Sequence, residues 1–158
     1  MTESSIIPVF DGHNDALLRL RRGGPNAAEA FLNGEAAGHI DLPRARRGGL
    51  AGGLCAIFIP SPDQPKAENA DFATPGQPDA LNETLAMARL LFAIEAQSGG
   101  AVKVCCSASD IKRSIAEGQF AAVFHIEGAE AVAADLDALY VLHQAGLRSL
   151  GPVWSRSN

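Results

Sequence analysis

Cysteine is scarce in this chain and basic charge is in deficit. Only three cysteines occur in 158 residues, Cys55, Cys105 and Cys106. Two are adjacent, and none stands in a Cys-x-x-Cys or Cys/His ligand spacing, so neither a disulfide framework nor a cysteine zinc site is expected. They read as buried thiols of a reducing compartment, which predicts a cytoplasmic protein. Lysine and arginine total 13 against 18 acidic residues, a net charge of −5. The small arginine clusters, Arg19, Arg21, Arg22 and Arg44, Arg46, Arg47, have no interleaved aromatics, so a nucleic-acid partner is not expected. No apolar stretch approaches about 18 residues, the least that spans a bilayer. The opening "MTESSIIPVF" lacks a basic start followed by a long apolar run, so no secretory signal is expected either. "GGLAGG" is not followed by Gly-Lys-Ser/Thr, and no serine sits in a Gly-x-Ser-x-Gly elbow. A phosphate loop and a serine nucleophile therefore lack support.

What is present suits one folded domain. Apolar residues make up 47% of the chain and charged residues 20%, enough to bury a core. Ile6–Phe10 predicts a first strand, ended by Asp11-Gly12. A loop rich in Gly and Asn follows, with a short helix over Ala27–Leu32. "GGLAGGLCAIFIP" predicts a second strand, and Ser61 to Pro78 a long Pro-rich loop. Asp79–Gln97 is the clearest helix, because leucines and Ile94 recur at helical spacing before Gly99-Gly100. Val102–Cys105 suggests a short strand. "SASDIKRSIAEG" reads as a helix capped by Ser107 or Ser109 and stopped by Gly118. "QFAAVFHIEG" is an apolar strand ending at Glu127, "DLDALYVLHQAG" a helix stopped by Gly146, and "LRSLGPVW" a last strand. Continuous apolar strands alternating with helices predict an α/β fold around a parallel sheet buried on both faces. The pattern fits the front half of a (β/α)8 barrel as well as a smaller open sheet, because a barrel needs eight strands and typically about 250 residues.

The candidate chemistry lies at strand ends. In "FDGHNDALLRL", His13 and Asp15 fall on one face by strand alternation, with Asp11 one step deeper and Asn14 pointing the other way. An imidazole and a carboxylate two residues apart can share one divalent ion. Glu127 ends an apolar strand at the same carboxyl rim, where parallel α/β folds bind ligands. His, Asp and Glu from two strand ends make a plausible metal site. The competing reading is that Asp15 and Glu127 cap the helices that follow them. His125 shares a face with Glu127, as a ligand or as a hydrogen-bonded core histidine. His39 precedes the second strand and reads as structural, and His143 as a helix packing or surface residue.

Taken together, "DGHND", "HIDLPRARRGGLAGGLCAIFIP", "HIEGAEA" and "LYVLHQAGLRSLGPVWSRSN" resemble the renal (membrane) dipeptidase family of zinc metallopeptidases, within the wider amidohydrolase group. The resemblance covers nearly all of this chain and about the front half of a family member. It implies the N-terminal half of a TIM (β/α)8 barrel, so that residues 1–158 form a single incomplete hydrolase domain. It implies two zinc ions, with His13 and Asp15 on the first and Glu127, the catalytic carboxylate, bridging both. It further implies a metal-bridging hydroxide that attacks the peptide bond of dipeptides, often with a D-residue at the C-terminal position. The family's remaining zinc histidines, a substrate-binding arginine and a late-strand aspartate would lie beyond Asn158. The 158-residue chain alone is therefore expected to be inactive, and to need its C-terminal half or another copy as partner. Trp154 stands where family members often carry a histidine that contacts substrate, and an indole N–H can donate a hydrogen bond but cannot take up a proton. Arg156 is a candidate for a substrate carboxylate or for a surface role. The rival readings are another amide or lactam hydrolase of the group, and a non-catalytic binding half-barrel.

Overall fold

The computed structural model describes residues 6–61, 73–154 and 156. Among the described residues, five parallel strands alternate with six helices. In chain order these are β1 (Val9–Asn14), α1 (Ala16–Arg22), α2 (Ala27–Asn33), α3 (Leu42–Gly48), β2 (Leu50–Phe58), α4 (Gln77–Gln97), β3 (Val102–Val104), α5 (Ala108–Ala116), β4 (Phe120–Glu127), α6 (Asp137–Ala145) and β5 (Leu147–Gly151). The sheet runs β1-β2-β4, and both β3 and β5 pair with β4, β3 near its start and β5 near its end. All pairings are parallel, as the apolar strands predicted. Most of the Pro-rich loop expected after β2 lies outside the described residues.

β4 is the axis of the sheet because seven of its eight residues are buried. Its alternation divides the molecule. Phe120, Ala122, Phe124 and Ile126 join the main core with the helices, where Phe31 packs edge-on to Phe120 and Phe92 edge-on to Phe124. Ala121 and Val123 pack on the other face with Cys105, Leu54, Ile111 and Ile115. His125 and Glu127 continue that second face, so the strand delivers them away from the helices on its first face. β2 approaches β4 closely at Gly52, where any Cβ would collide with the carbonyl oxygen of Ala121.

Helix ends follow the expected chemistry. Ser107 caps α5, its hydroxyl accepting from the Asp110 backbone N–H at 3.1 Å. Gly118 and Gly146 adopt positive φ after α5 and α6. Two helices, α1 and α3, are additional to the expected set. α1 is short and carries no side-chain cap, and its signal reduces to Leu17 and Leu20, which are buried at a three-residue spacing. α3 did carry a legible signal: Asp41 accepts from the Arg44 backbone N–H at 2.8 Å, and Pro stands in the first turn. β1 also starts and ends later than Ile6–Phe10. Asp11-Gly12 reads locally as a turn, but pairing with β2 carries the strand through it.

The thiols divide by burial. Cys55 is enclosed, and burial first, then the charge of Asp11, pushes its thiol up to about 12. Burial also raises Cys105, whereas Cys106 is exposed. Since the thiolate is the reactive form, a thiol reagent at pH 8 followed by peptide mapping should label Cys106 within minutes. Cys55 and Cys105 should be labelled only after denaturation, and rapid labelling of Cys55 in the native protein would contradict the packing of β2.

Candidate metal centre

Two strand ends and one helix start supply the candidate ligands. Near the end of β1 the register slips between Asp11 and Asn14, a bulge that interrupts simple alternation. Asp11 turns into this bulge. One oxygen accepts the His13 backbone N–H at 3.2 Å and the other accepts the Asn14 amide at 3.2 Å. Asp11 is thus a turn former, the weakest of the three candidates in this stretch, and it stands outside the cluster of metal-facing side chains. Asn14 is buried beside Cys55, its register partner on the helix-facing side. His13 turns the other way, edge-on to the His125 ring at 5.4 Å.

His13, Asp15 and Glu127 converge. His13 Nε2 lies 3.5 Å from Asp15 Oδ1 and 3.4 Å from Glu127 Oε2. One nitrogen and two carboxylate oxygens all fall within 4.8 Å of one another. Bonds of about 2.1 Å in a tetrahedral arrangement place neighbouring ligand atoms about 3.4 Å apart. The donor set and its spacing therefore fit one divalent ion. The capping alternative finds no support in the geometry. Asp15 occupies the N-cap position of α1, yet its side chain makes no cap hydrogen bond. After Glu127 no helix begins until Asp137.

His125 is held as a hydrogen-bonded interior histidine. Its Nδ1 lies 2.8 Å from the Ser149 hydroxyl, on the register partner in β5. Burial first, then neighbouring His13, lowers its pKa below the ordinary histidine value. The sequence offered no sign of Ser149 in this role. His39 and His143 are exposed and stand apart from the cluster.

The segment after β5 crosses the same rim. The ladder continues past the strands, with the Gly128 N–H donating to Gly151 and the Ala129 N–H to Pro152. Gly128 itself needs glycine, since it sits at φ +92° with the Glu130 carboxylate where a Cβ would project. Trp154 is 41% exposed and packs edge-on to Phe58 at 4.9 Å. Phe58 is the register partner of Glu127. Arg156 is no surface residue: it is buried and bound to Glu130. Phe58 and Glu130 are the rim residues that sequence reasoning passed over. Each sits near a strand end, but nothing in its local pattern distinguishes it from packing.

The family profile described as membrane dipeptidase (peptidase family M19) matches residues 4–158. The chain belongs to the membrane dipeptidase family. A crystal structure of a metallopeptidase from Rhodobacter sphaeroides, liganded with a phosphinate mimic of the dipeptide L-Ala-D-Ala, superposes with a TM-score of 0.90 at 45% identity. That match covers 97% of this chain and 47% of that one. An uncharacterized protein from the PQQ-III 3′ region of Acinetobacter calcoaceticus is 39% identical, over 95% of this chain and 50% of its own. The dipeptidase ataJ of Aspergillus terreus is 26% identical, over 90% of this chain and 34% of its own. The chain therefore spans half or less of the length of these relatives. The fold is the α/β arrangement of the N-terminal half of a TIM barrel, as the sequence predicted. Membership among metallopeptidases implies a metal cofactor. No helix among the described residues is long and apolar enough to cross a membrane.

Proposed function

We propose that this chain belongs to a zinc-dependent dipeptidase, in which residues 1–158 form one incomplete domain carrying the first part of a two-zinc site. The convergence of His13, Asp15 and Glu127 at the carboxyl rim of a parallel sheet carries this reading. In it, His13 would hold the ion through Nε2 and Asp15 through one carboxylate oxygen. Glu127 turns Oε2 toward His13, and a carboxylate has a second oxygen to offer a neighbouring ion. Bound zinc would act as a Lewis acid on the peptide carbonyl and make water acidic enough to attack near neutral pH.

The chain's own residues prepare that chemistry. Asp11 fixes the His13 backbone through the bulge, so the imidazole is oriented before anything binds. Trp154 and Phe58 form an apolar flank next to Glu127. The Trp154 indole N–H can donate to a substrate oxygen but cannot deliver a proton to the departing amine. That proton comes from a group outside this set. Arg156 lies behind Trp154, 6.0 Å from its ring centre, and is too enclosed to bind a substrate carboxylate itself. Dipeptides are the proposed substrates, including those with a C-terminal D-residue. A cytoplasmic location is part of the proposal, resting on three unpaired thiols.

The test is metal analysis of the purified full-length protein, with turnover of L-Ala-D-Ala and a panel of dipeptides. Zinc in the isolated protein, activity lost to a chelator and regained with zinc, is the expected result. Turnover of cyclic amides or acylated amino acids in place of dipeptides would transfer the assignment to another amidohydrolase-type reaction. A protein free of metal and without turnover would support a binding half-barrel instead.

A further inference from the structure

The Arg156 side chain is 0% exposed and its partner Glu130 1% exposed. A guanidinium so enclosed cannot meet a substrate directly, and its charge must be met by the groups packed around it. Its donors point three ways. Nε donates to Glu130 Oε1 at 2.7 Å, Nη1 to the Ser61 hydroxyl at 2.7 Å, and Nη2 to the Ile59 carbonyl. One side chain thus ties the end of β2 to the segment after β4 and to its own segment after β5. The same guanidinium carbon lies 5.4 Å from the Phe58 ring centre and 6.0 Å from that of Trp154, within range of cation–π attraction. Glu130 in turn packs its carboxylate over Gly128, immediately after Glu127.

Enclosing a charge pair is expensive unless its geometry is close to ideal, so such a pair is poor grounds for assuming simple stabilisation. Here it is placed where three rim segments must keep register around one carboxylate. We propose that Arg156, held by Glu130, is a positioning residue that sets the Phe58–Trp154 pair as the substrate-facing wall beside Glu127. The inference rests on the dipeptidase reading and deepens it by assigning substrate selection at this rim to a buried ion pair. Lysine cannot reproduce the arrangement, because a single ammonium lacks the planar fork that reaches three acceptors at fixed angles.

The experiment uses the full-length protein and the variants Arg156→Lys, Trp154→Ala and their combination. Arg156→Lys should raise KM for dipeptides about tenfold, with kcat within about threefold of wild type and metal content unchanged. Trp154→Ala should do the same, and the double variant should lose little more than the larger single change, since both act through one wall. Additive losses, or a fall in kcat or metal with KM unchanged, would overturn the proposal. A readout independent of turnover is the Trp154 indole N–H resonance, assigned with Trp154→Phe. It should shift and broaden in Arg156→Lys, and an unchanged resonance would overturn the proposal whatever the activity. Should Arg156→Lys fail to fold, Glu130→Gln keeps an acceptor for Nε while removing the charge, and carries the same readouts. If wild-type protein turns over no dipeptide, the functional reading fails by itself, while the indole resonance still decides the role of Arg156.

Discussion

Replacing either His13 or Glu127 with alanine should strip metal from the full-length protein and lower dipeptide turnover by about a thousandfold or more. A bound divalent ion supplies several kcal/mol of charge stabilisation in the transition state, and each increment of about 1.4 kcal/mol is tenfold in rate. Losing roughly 4 kcal/mol therefore removes about three orders of magnitude. Unfolding does not account for such a loss. The His13 side chain is 39% exposed and Glu127 lies at the rim, and substitutions at exposed positions usually change stability by no more than about 0.5 kcal/mol. His39→Ala supplies the control, because His39 is exposed and outside the cluster; it should keep wild-type metal and rate within about twofold. Full metal content and turnover in either His13→Ala or Glu127→Ala would sink the metal-ligand assignment.

The second large effect concerns residues 1–158 expressed by themselves. With zinc added, this segment should hydrolyse no dipeptide and should self-associate in size-exclusion chromatography. Three ligand side chains are the usual protein complement of one catalytic zinc, so a two-ion site is incomplete on this set. The fold is open as well. Among the described residues, β1 pairs only with β2, and β5 pairs only with β4. Such edges leave backbone N–H and C=O groups free to recruit another strand. Leu136, Tyr140 and Val141 at α6 are 54%, 70% and 62% exposed, an apolar surface of the kind that marks an unmet interface. Co-expression with the remainder of the full-length protein should restore both a defined size and activity. Zinc-dependent turnover by a monomeric 1–158 segment would show that the closing half is dispensable.

Legibility in the sequence followed the range of the forces involved. β4 was readable because burial on both faces leaves one continuous apolar run, α4 because its leucines and Ile94 recur at helical spacing, and α5 and α6 because the Ser107 cap and the glycine stops Gly118 and Gly146 are set within a few residues. α1 escaped because it carries no side-chain cap and only Leu17 and Leu20 mark its buried face, and α3 escaped although its Asp41 cap was there to be read. The sequence by itself offered His13, Asp15 and Glu127, at two strand ends and one helix start, as side chains with donor atoms that suit a metal. Only the tertiary structure decided that they meet. It was the parallel register between β1, β2 and β4 that brought Glu127 to His13, and the bulge after Asp11 that drew that carboxylate into the backbone instead of the site. Arg156 is the clearest case. Local sequence allows an exposed arginine, and only the folding of three distant rim segments around its guanidinium encloses it against Glu130.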